Sequence, residues 1–196
     1  MTSRRETLRA LGSIAALQFF GTLGVEELVA VGQRAHALAG RRRRGEPGAP
    51  PRALTPAQYE MVVQAAERIL PRTDTPGATD AAVADFIDIM LADWYSPPER
   101  TRFTSGLAEL DARSRKLAGG GRDFVQSTEL QQTAVLESLD EELHILRQSG
   151  EAGVNEHWFA MLKHLTIWGY YTSRPGIVEE LRVDLIPGRY DGNAKY

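Results

Sequence analysis

The chain has no cysteine, and that absence removes several chemistries at once. Disulfides, thiolate zinc sites, iron–sulfur clusters and c-type haem attachment are all excluded within it. An oxidising compartment is still compatible with the composition, because a chain of this length can bury a core deep enough to fold without disulfides. No Gly-rich dinucleotide fingerprint is present either, so nothing marks a nucleotide cofactor held by this chain. Long apolar runs are lacking as well. The stretch Ala10-Leu11-Gly12-Ser13-Ile14-Ala15-Ala16-Leu17 is interrupted by Gln18 and falls short of the roughly 20 residues that a membrane-spanning helix needs. No window alternates polar and apolar residues at period two, which leaves no strand pattern, and there are no internal repeats.

What is there begins with charge. Residues 1–44 hold eight Arg against three Glu, a balance of +5, so the remainder of a chain of net charge −3 carries −8. An acidic folded part argues against a nucleic-acid surface, and Arg41 to Arg44 read as a solvated run beside a linker. At the N-terminus, Ser3-Arg4-Arg5-Glu6-Thr7-Leu8-Arg9 precedes the modest apolar stretch. It resembles a twin-arginine export signal, a route that carries folded passengers. The resemblance implies a periplasmic or periplasm-facing, membrane-associated location and an encounter with the twin-arginine translocase. Ala37-Leu38-Ala39 offers a small-x-small processing pattern, but Arg41 to Arg44 follow at once. Removal near Ala39 and retention as a helical N-terminal anchor are both open.

Gly45-Glu46-Pro47-Gly48-Ala49-Pro50-Pro51 denies the chain helix or strand and marks a linker. We therefore divide the chain into an export segment (1–44), a linker (45–53) and a helical domain (54–196). Thr55 as a cap with Pro56 in the first turn starts a helix that carries Tyr59, Val62, Val63, Ala66, Ile69 and Leu70 and stops at Pro71. Thr79 or Asp80 is the expected cap of a second, with Val83, Phe86, Ile87, Met90, Leu91 and Trp94 on one stripe. Ser96-Pro97-Pro98-Glu99 opens a third, carrying Phe103, Leu107, Leu110 and Leu117, and Gly119 to Gly121 break it. Ser127 to Glu129 cap a fourth with Leu130, Leu136, Leu139, Leu143 and Leu146. A fifth spans Asn155 to Tyr171, and Pro175 starts a short last one to Leu181. The prediction is an all-α fold: one small bundle of about five to six helices with an irregular C-terminal tail.

No nucleophile–base–orienter set can be read from the residues. Ser127 and Ser173 fall at cap or turn positions, and no carboxylate pair stands out as general acid and base. The sharpest chemical candidate is Glu141 with His144, spaced like the Glu-x-x-His element of di-metal helical bundles. That site needs a second such element, yet the positions three before His157 and His164 are Val154 and Met161. A free-standing secreted metal-binding protein using Glu141 and His144 is thus the alternative reading, and an exposed helix face the simpler one.

Two segments are richer in turn residues than helix packing requires. One is Ile69-Leu70-Pro71-Arg72-Thr73-Asp74-Thr75-Pro76-Gly77-Ala78-Thr79-Asp80. The other is Tyr170-Tyr171-Thr172-Ser173-Arg174-Pro175-Gly176, followed by Leu185-Ile186-Pro187-Gly188-Arg189-Tyr190-Asp191-Gly192. Prolines fix backbone angles, Gly77 permits a tight turn, and Thr73, Asp74 and Thr75 can bond local backbone. A stiff polar loop of this kind suits recognition, since little ordering entropy is lost on binding, and the same residues equally suit a well-made interhelical connection. A C-terminal stretch without helical patterning, with Tyr190 and Tyr196, suits an extended contact with a partner, and a disordered terminus is the equally ordinary reading of it.

In this order, on a small helical domain behind a twin-arginine signal, these segments resemble the gluconate 2-dehydrogenase subunit 3 family over about Leu54 to Tyr190. The resemblance implies a non-catalytic accessory subunit of an oxidoreductase complex. Its partner would be a large flavoprotein dehydrogenase of the glucose–methanol–choline type, acting on sugars, sugar acids or polyols, with a cytochrome c subunit often completing the complex. FAD would reside in the large subunit and haem c in the third, with no cofactor, metal or catalytic residue in this chain. On that reading Arg4 and Arg5 export both chains. Arg72, Thr73, Asp74, Thr75, Pro76, Gly77 and Ala78, with Tyr171, Ser173, Pro187, Gly188 and Tyr190, dock the partner.

Overall fold

The computed structural model describes residues 25–43, 53–117, 121–149 and 157–182. Among them are six substantial α-helices, one π-helical segment and no strand, as the sequence predicts. The α-helices are α1 (Val25–Arg43), α2 (Pro56–Ile69), α3 (Val83–Asp93), α4 (Pro97–Leu117), α5 (Glu129–Ser149) and α6 (Trp158–Tyr171), followed by the π-helical Pro175–Glu180. No helix among the described residues is long and apolar enough to cross a membrane.

Helix starts follow local chemistry. Thr55 and Gln58 form a reciprocal capping box before Pro56, and Thr128 with Gln131 does the same ahead of α5. Glu99 accepts the Ser96 N–H at 2.8 Å at the start of α4. The second predicted cap is displaced. Residues 78–82 form turns, α3 begins at Val83, and Ala82 before it takes a left-handed φ of 58°. Asp80 turns back toward Gly77 instead of capping the helix.

Packing centres on α3 and α6. Every residue from Val83 to Leu91 is buried, because α3 lies against α1, α2 and α6 together. A helix apolar on all sides is stable only in such a position. Two aspartates, Asp85 and Asp88, are nevertheless buried within it. Asp88 accepts the N–H groups of Ala53 and Leu54, each at 2.9 Å, which seats the segment leading into α2 on the core. α6 touches every other described helix, and its fully buried Phe159, Leu162, Leu165 and Tyr170 fill the centre.

At the N-terminal end of α6, Trp158 lies so close to α4 that a Cβ on Gly106 would sit 2.6 Å from the Trp158 Cβ. The indole N–H donates to Glu109 at 2.9 Å, and Arg113 bridges Glu109 to Glu142 of α5. Three helices are pinned there by one tryptophan and one arginine.

Three stripe assignments differ from expectation. Leu130 is 84% exposed, Leu117 55% and Trp94 41%. Each lies in the first or last turn of a helix or just past its end. Residues 25–43, read from sequence as export segment, form α1, packed on α3 and α6.

Two predictions follow from this core. Gly106→Ala forces the Trp158 indole off α4 and should cost about 1–3 kcal/mol in chemical denaturation. His164 stacks on Trp168 (centroids 6.2 Å apart, 17° between planes), and burial pushes its pKa down to about 4. Its unfolded form titrates near 6.5, so it holds no extra proton in the fold where the unfolded chain does. Stability should therefore be lost as pH falls from about 6.5 to about 4, by up to about 3 kcal/mol from this group. His164→Gln should flatten that part of the stability–pH curve, read as urea midpoints across the range.

Candidate functional site

The two turn-rich segments meet. α2 ends at Ile69 because Pro71 cannot continue it, and the chain then folds back on itself, Ala78 N–H donating to the Leu70 carbonyl at 2.9 Å. Glu67, in the last turn of α2, organises the return. Its Oε1 accepts the Arg72 N–H and its Oε2 the Thr79 N–H, both at 2.9 Å. One carboxylate thus satisfies backbone donors on both arms of the loop. Gly77 passes directly beneath: a Cβ there would stand 2.7 Å from the Arg72 nitrogen, so the turn tolerates no side chain.

Asp80 braces the tip. It accepts the Gly77 N–H at 2.9 Å and pairs with the Arg72 guanidinium. The Gly77 hydrogen bond, followed by the Arg72 bond and charge, holds its carboxyl below the usual carboxylate range. Thr73 N–H donates to Thr75 O at 3.1 Å, and the Thr73 hydroxyl to Asp74 at 3.0 Å. Pro71, Arg72, Thr73 and Asp74 face solvent, while Thr75 and Pro76 are half-buried and Gly77 and Ala78 buried. The loop therefore has a locked inner wall and a polar outer rim.

The C-terminal end of α6 supplies the other half. Tyr170 is fully buried, and its hydroxyl donates to the Pro76 carbonyl at 2.7 Å. Its own carbonyl accepts the Ser173 hydroxyl at 2.6 Å, and Ser173 Oγ accepts the Gly176 N–H at 3.1 Å. Ser173, itself buried, is thus the corner piece that turns α6 into the π-helical segment. Thr75 on the loop donates to Glu180 at the far end of that segment, beside Val178 (44% exposed) and Leu181 (49% exposed). Tyr171 packs edge-on to Tyr170 with ring centroids 5.1 Å apart.

The structure thus brings the Arg72–Ala78 loop to the end of α6 that carries Tyr171 and Ser173; Arg72, Thr73 and Asp74 are exposed there, whereas Gly77, Ala78 and Ser173 are buried and shape the region from within. Arg4, Arg5, Pro187, Gly188 and Tyr190 lie outside the described residues. Glu67 and Tyr170 were missed as site residues. Glu67 carries one faint signal, an acidic residue four before a helix-ending proline, and Tyr170 only its place beside Tyr171.

The metal candidate stands elsewhere. Glu141 and His144 are exposed on α5, and Gln148 donates to His144 Nε2 at 2.7 Å. The neighbouring Glu142 is the one that turns inward, to Arg113 and to within 4.0 Å of His157. Among the described residues no group of three or more His, Asp and Glu could hold a metal ion.

Compared with known proteins, residues 56–188 match the family model described as gluconate 2-dehydrogenase subunit 3. No curated protein and no solved structure matches the chain.

Glu67→Gln keeps the size of the side chain but removes the charge from two charge-assisted bonds. It should cost about 1–3 kcal/mol and speed amide exchange at Arg72 and Thr79 while leaving α5 unchanged. Tyr170→Phe removes the hydroxyl's bond to the Pro76 carbonyl and should cost about 1–2 kcal/mol, read as a lower urea midpoint.

Proposed function

The chain belongs to the gluconate 2-dehydrogenase subunit 3 family, which makes it a small subunit of a dehydrogenase complex, and from that membership we propose how it serves the complex. It acts as a non-catalytic accessory subunit that binds, stabilises and helps export a large flavin-dependent dehydrogenase of the glucose–methanol–choline type. The oxidation of the sugar, sugar acid or polyol takes place at the FAD of that large subunit. A cytochrome c subunit takes the electrons onward where the complex has one. The complex works at the periplasmic face, reached through the twin-arginine route.

The observation that carries this reading is the braced loop from Arg72 to Ala78. Its backbone is held by Glu67, Asp80 and Tyr170, so its shape exists before any partner arrives and binding orders little. Its rim presents Arg72, Thr73 and Asp74, and the apolar Val178 and Leu181 lie beyond the Thr75–Glu180 link. A polar rim beside apolar side chains is the composition of a protein–protein contact. The residues brought together hold backbone and turn geometry. That use of the side chains favours recognition over chemistry.

Export follows from Arg4 and Arg5. A folded-protein route suits a cofactor-loaded enzyme, and a large subunit without its own signal would travel bound to this chain.

Affinity purification of the tagged full chain at native expression should recover a larger partner in stoichiometric amount, with flavin absorbance in the eluate. Arg72→Glu together with Asp74→Lys should lower that recovery at least about tenfold, a loss of about 1.4 kcal/mol in binding. A lone, colourless chain would overturn the accessory role. Arg4→Lys with Arg5→Lys should leave both chains and the dehydrogenase activity in the cytoplasm. Undiminished periplasmic activity would refute the carrier role alone.

A further inference from the structure

α1 carries small residues where it meets the bundle. Gly32, Ala35 and Ala39 are buried, the two alanines at 0% and 1% exposure, and their spacing of three and four puts them on one helix face. The approach is close: a Cβ on Gly32 would stand 2.8 Å from the Thr172 hydroxyl oxygen. On the same face the His36 ring stacks on Phe86 of α3 with centroids 4.9 Å apart and 28° between planes. His36 Nε2 lies 3.1 Å from Thr172 Oγ1, and that hydroxyl donates to the Trp168 carbonyl at 2.7 Å. Phe86 is fully buried and meets Trp168 edge-on at 5.3 Å. The opposite face of α1, with Ala30, Gln33, Arg34 and Ala37, is exposed.

This is how a permanent helix packs. A signal segment awaiting removal has no need of a histidine fitted between a core phenylalanine and a threonine 136 residues away. The small-x-small pattern Ala37-Leu38-Ala39 lies inside α1 with Ala39 against the bundle. A cut after Ala39 would remove Gly32, Ala35, His36 and Ala39 from the fold and uncover the Phe86 face of α3. Processing enzymes read such sites at the end of a signal segment, whereas here the segment is helical and docked.

We propose that α1 is a permanent part of the folded body and that the exported chain keeps it, which confines any removable signal to residues before Val25. The helix also buttresses Thr172, next to Tyr171 and Ser173, and so supports the end of α6 from the side opposite the Arg72–Ala78 loop. The exported form in this proposal rests on the export reading above, whereas the packing of α1 does not.

The test has two arms. Intact mass and N-terminal sequencing of the chain recovered from the periplasmic fraction should give a product that still contains Val25 to Arg43. An N-terminus at Gly40 would overturn the proposal. Recovery from the cytoplasm only would refute the export reading, and the second arm then decides. In the purified full-length chain, Gly32→Leu should lower the melting midpoint by about 5 °C, while Ala37→Leu on the exposed face should leave it unchanged. If Gly32→Leu does not fold, Gly32→Ala gives the same comparison with a smaller drop. A midpoint in the Gly32 variant equal to that of the unaltered chain would show that α1 is not docked and would overturn the proposal.

Discussion

A tyrosine hydroxyl buried in a helical core must find an acceptor, and the shape of this protein's surface region depends on the one that Tyr170 finds. Its side chain is fully buried, so leaving the hydroxyl unpaired would cost more than the bond itself contributes. The acceptor is the Pro76 carbonyl, 94 residues earlier. That single bond fixes the distance between the end of α6 and the loop after α2. The Tyr170 carbonyl, which takes the Ser173 hydroxyl, then sets the direction in which the chain leaves the helix. Ring, hydroxyl and carbonyl of one residue join the core, the loop and the final turn.

Around that anchor the loop is built from carboxylates spent on backbone. Glu67 accepts two N–H groups, Asp80 one and an arginine, and Asp88 two more at the start of the described domain. Carboxylates so employed are poor candidates for acid–base chemistry, because protonating them would release the backbone they hold. Exposed on the rim are Arg72, Thr73 and Asp74, a polar surface that agrees with a family whose members are small subunits of a dehydrogenase complex.

The same economy appears at the other side of α6. Thr172 meets α1 while Tyr170 holds the loop and Ser173 the turn into the π-helical segment. Four consecutive residues, Tyr170 to Ser173, therefore connect α1, the core and the candidate docking surface. Such a corner needs small hydroxyls and an aromatic in a fixed order, and this is why the segment stood out in the sequence as turn-rich.

The sequence by itself determined the helical class, the stops and most of the starts. Pro71 ends α2 and Thr55 with Pro56 begins it through interactions that span four residues or fewer, and such short-range rules are written in neighbouring letters. It also singled out both halves of the region, because Pro, Gly, Thr and Asp are denser there than the turns between packed helices require. Only the tertiary structure decided that the halves touch, and that Glu67 and Tyr170 make them do so, since their partners lie across a turn or on the far side of the core. It also turned residues 25–43 from a stretch of mixed charge into a docked helix. Its pattern is of small residues and one histidine, a weak periodic signal by itself, and it acquires meaning from Phe86 and Thr172, which the chain supplies 50 and 136 residues later. Where a stabilising contact is separated in sequence by that distance, no local propensity can announce it.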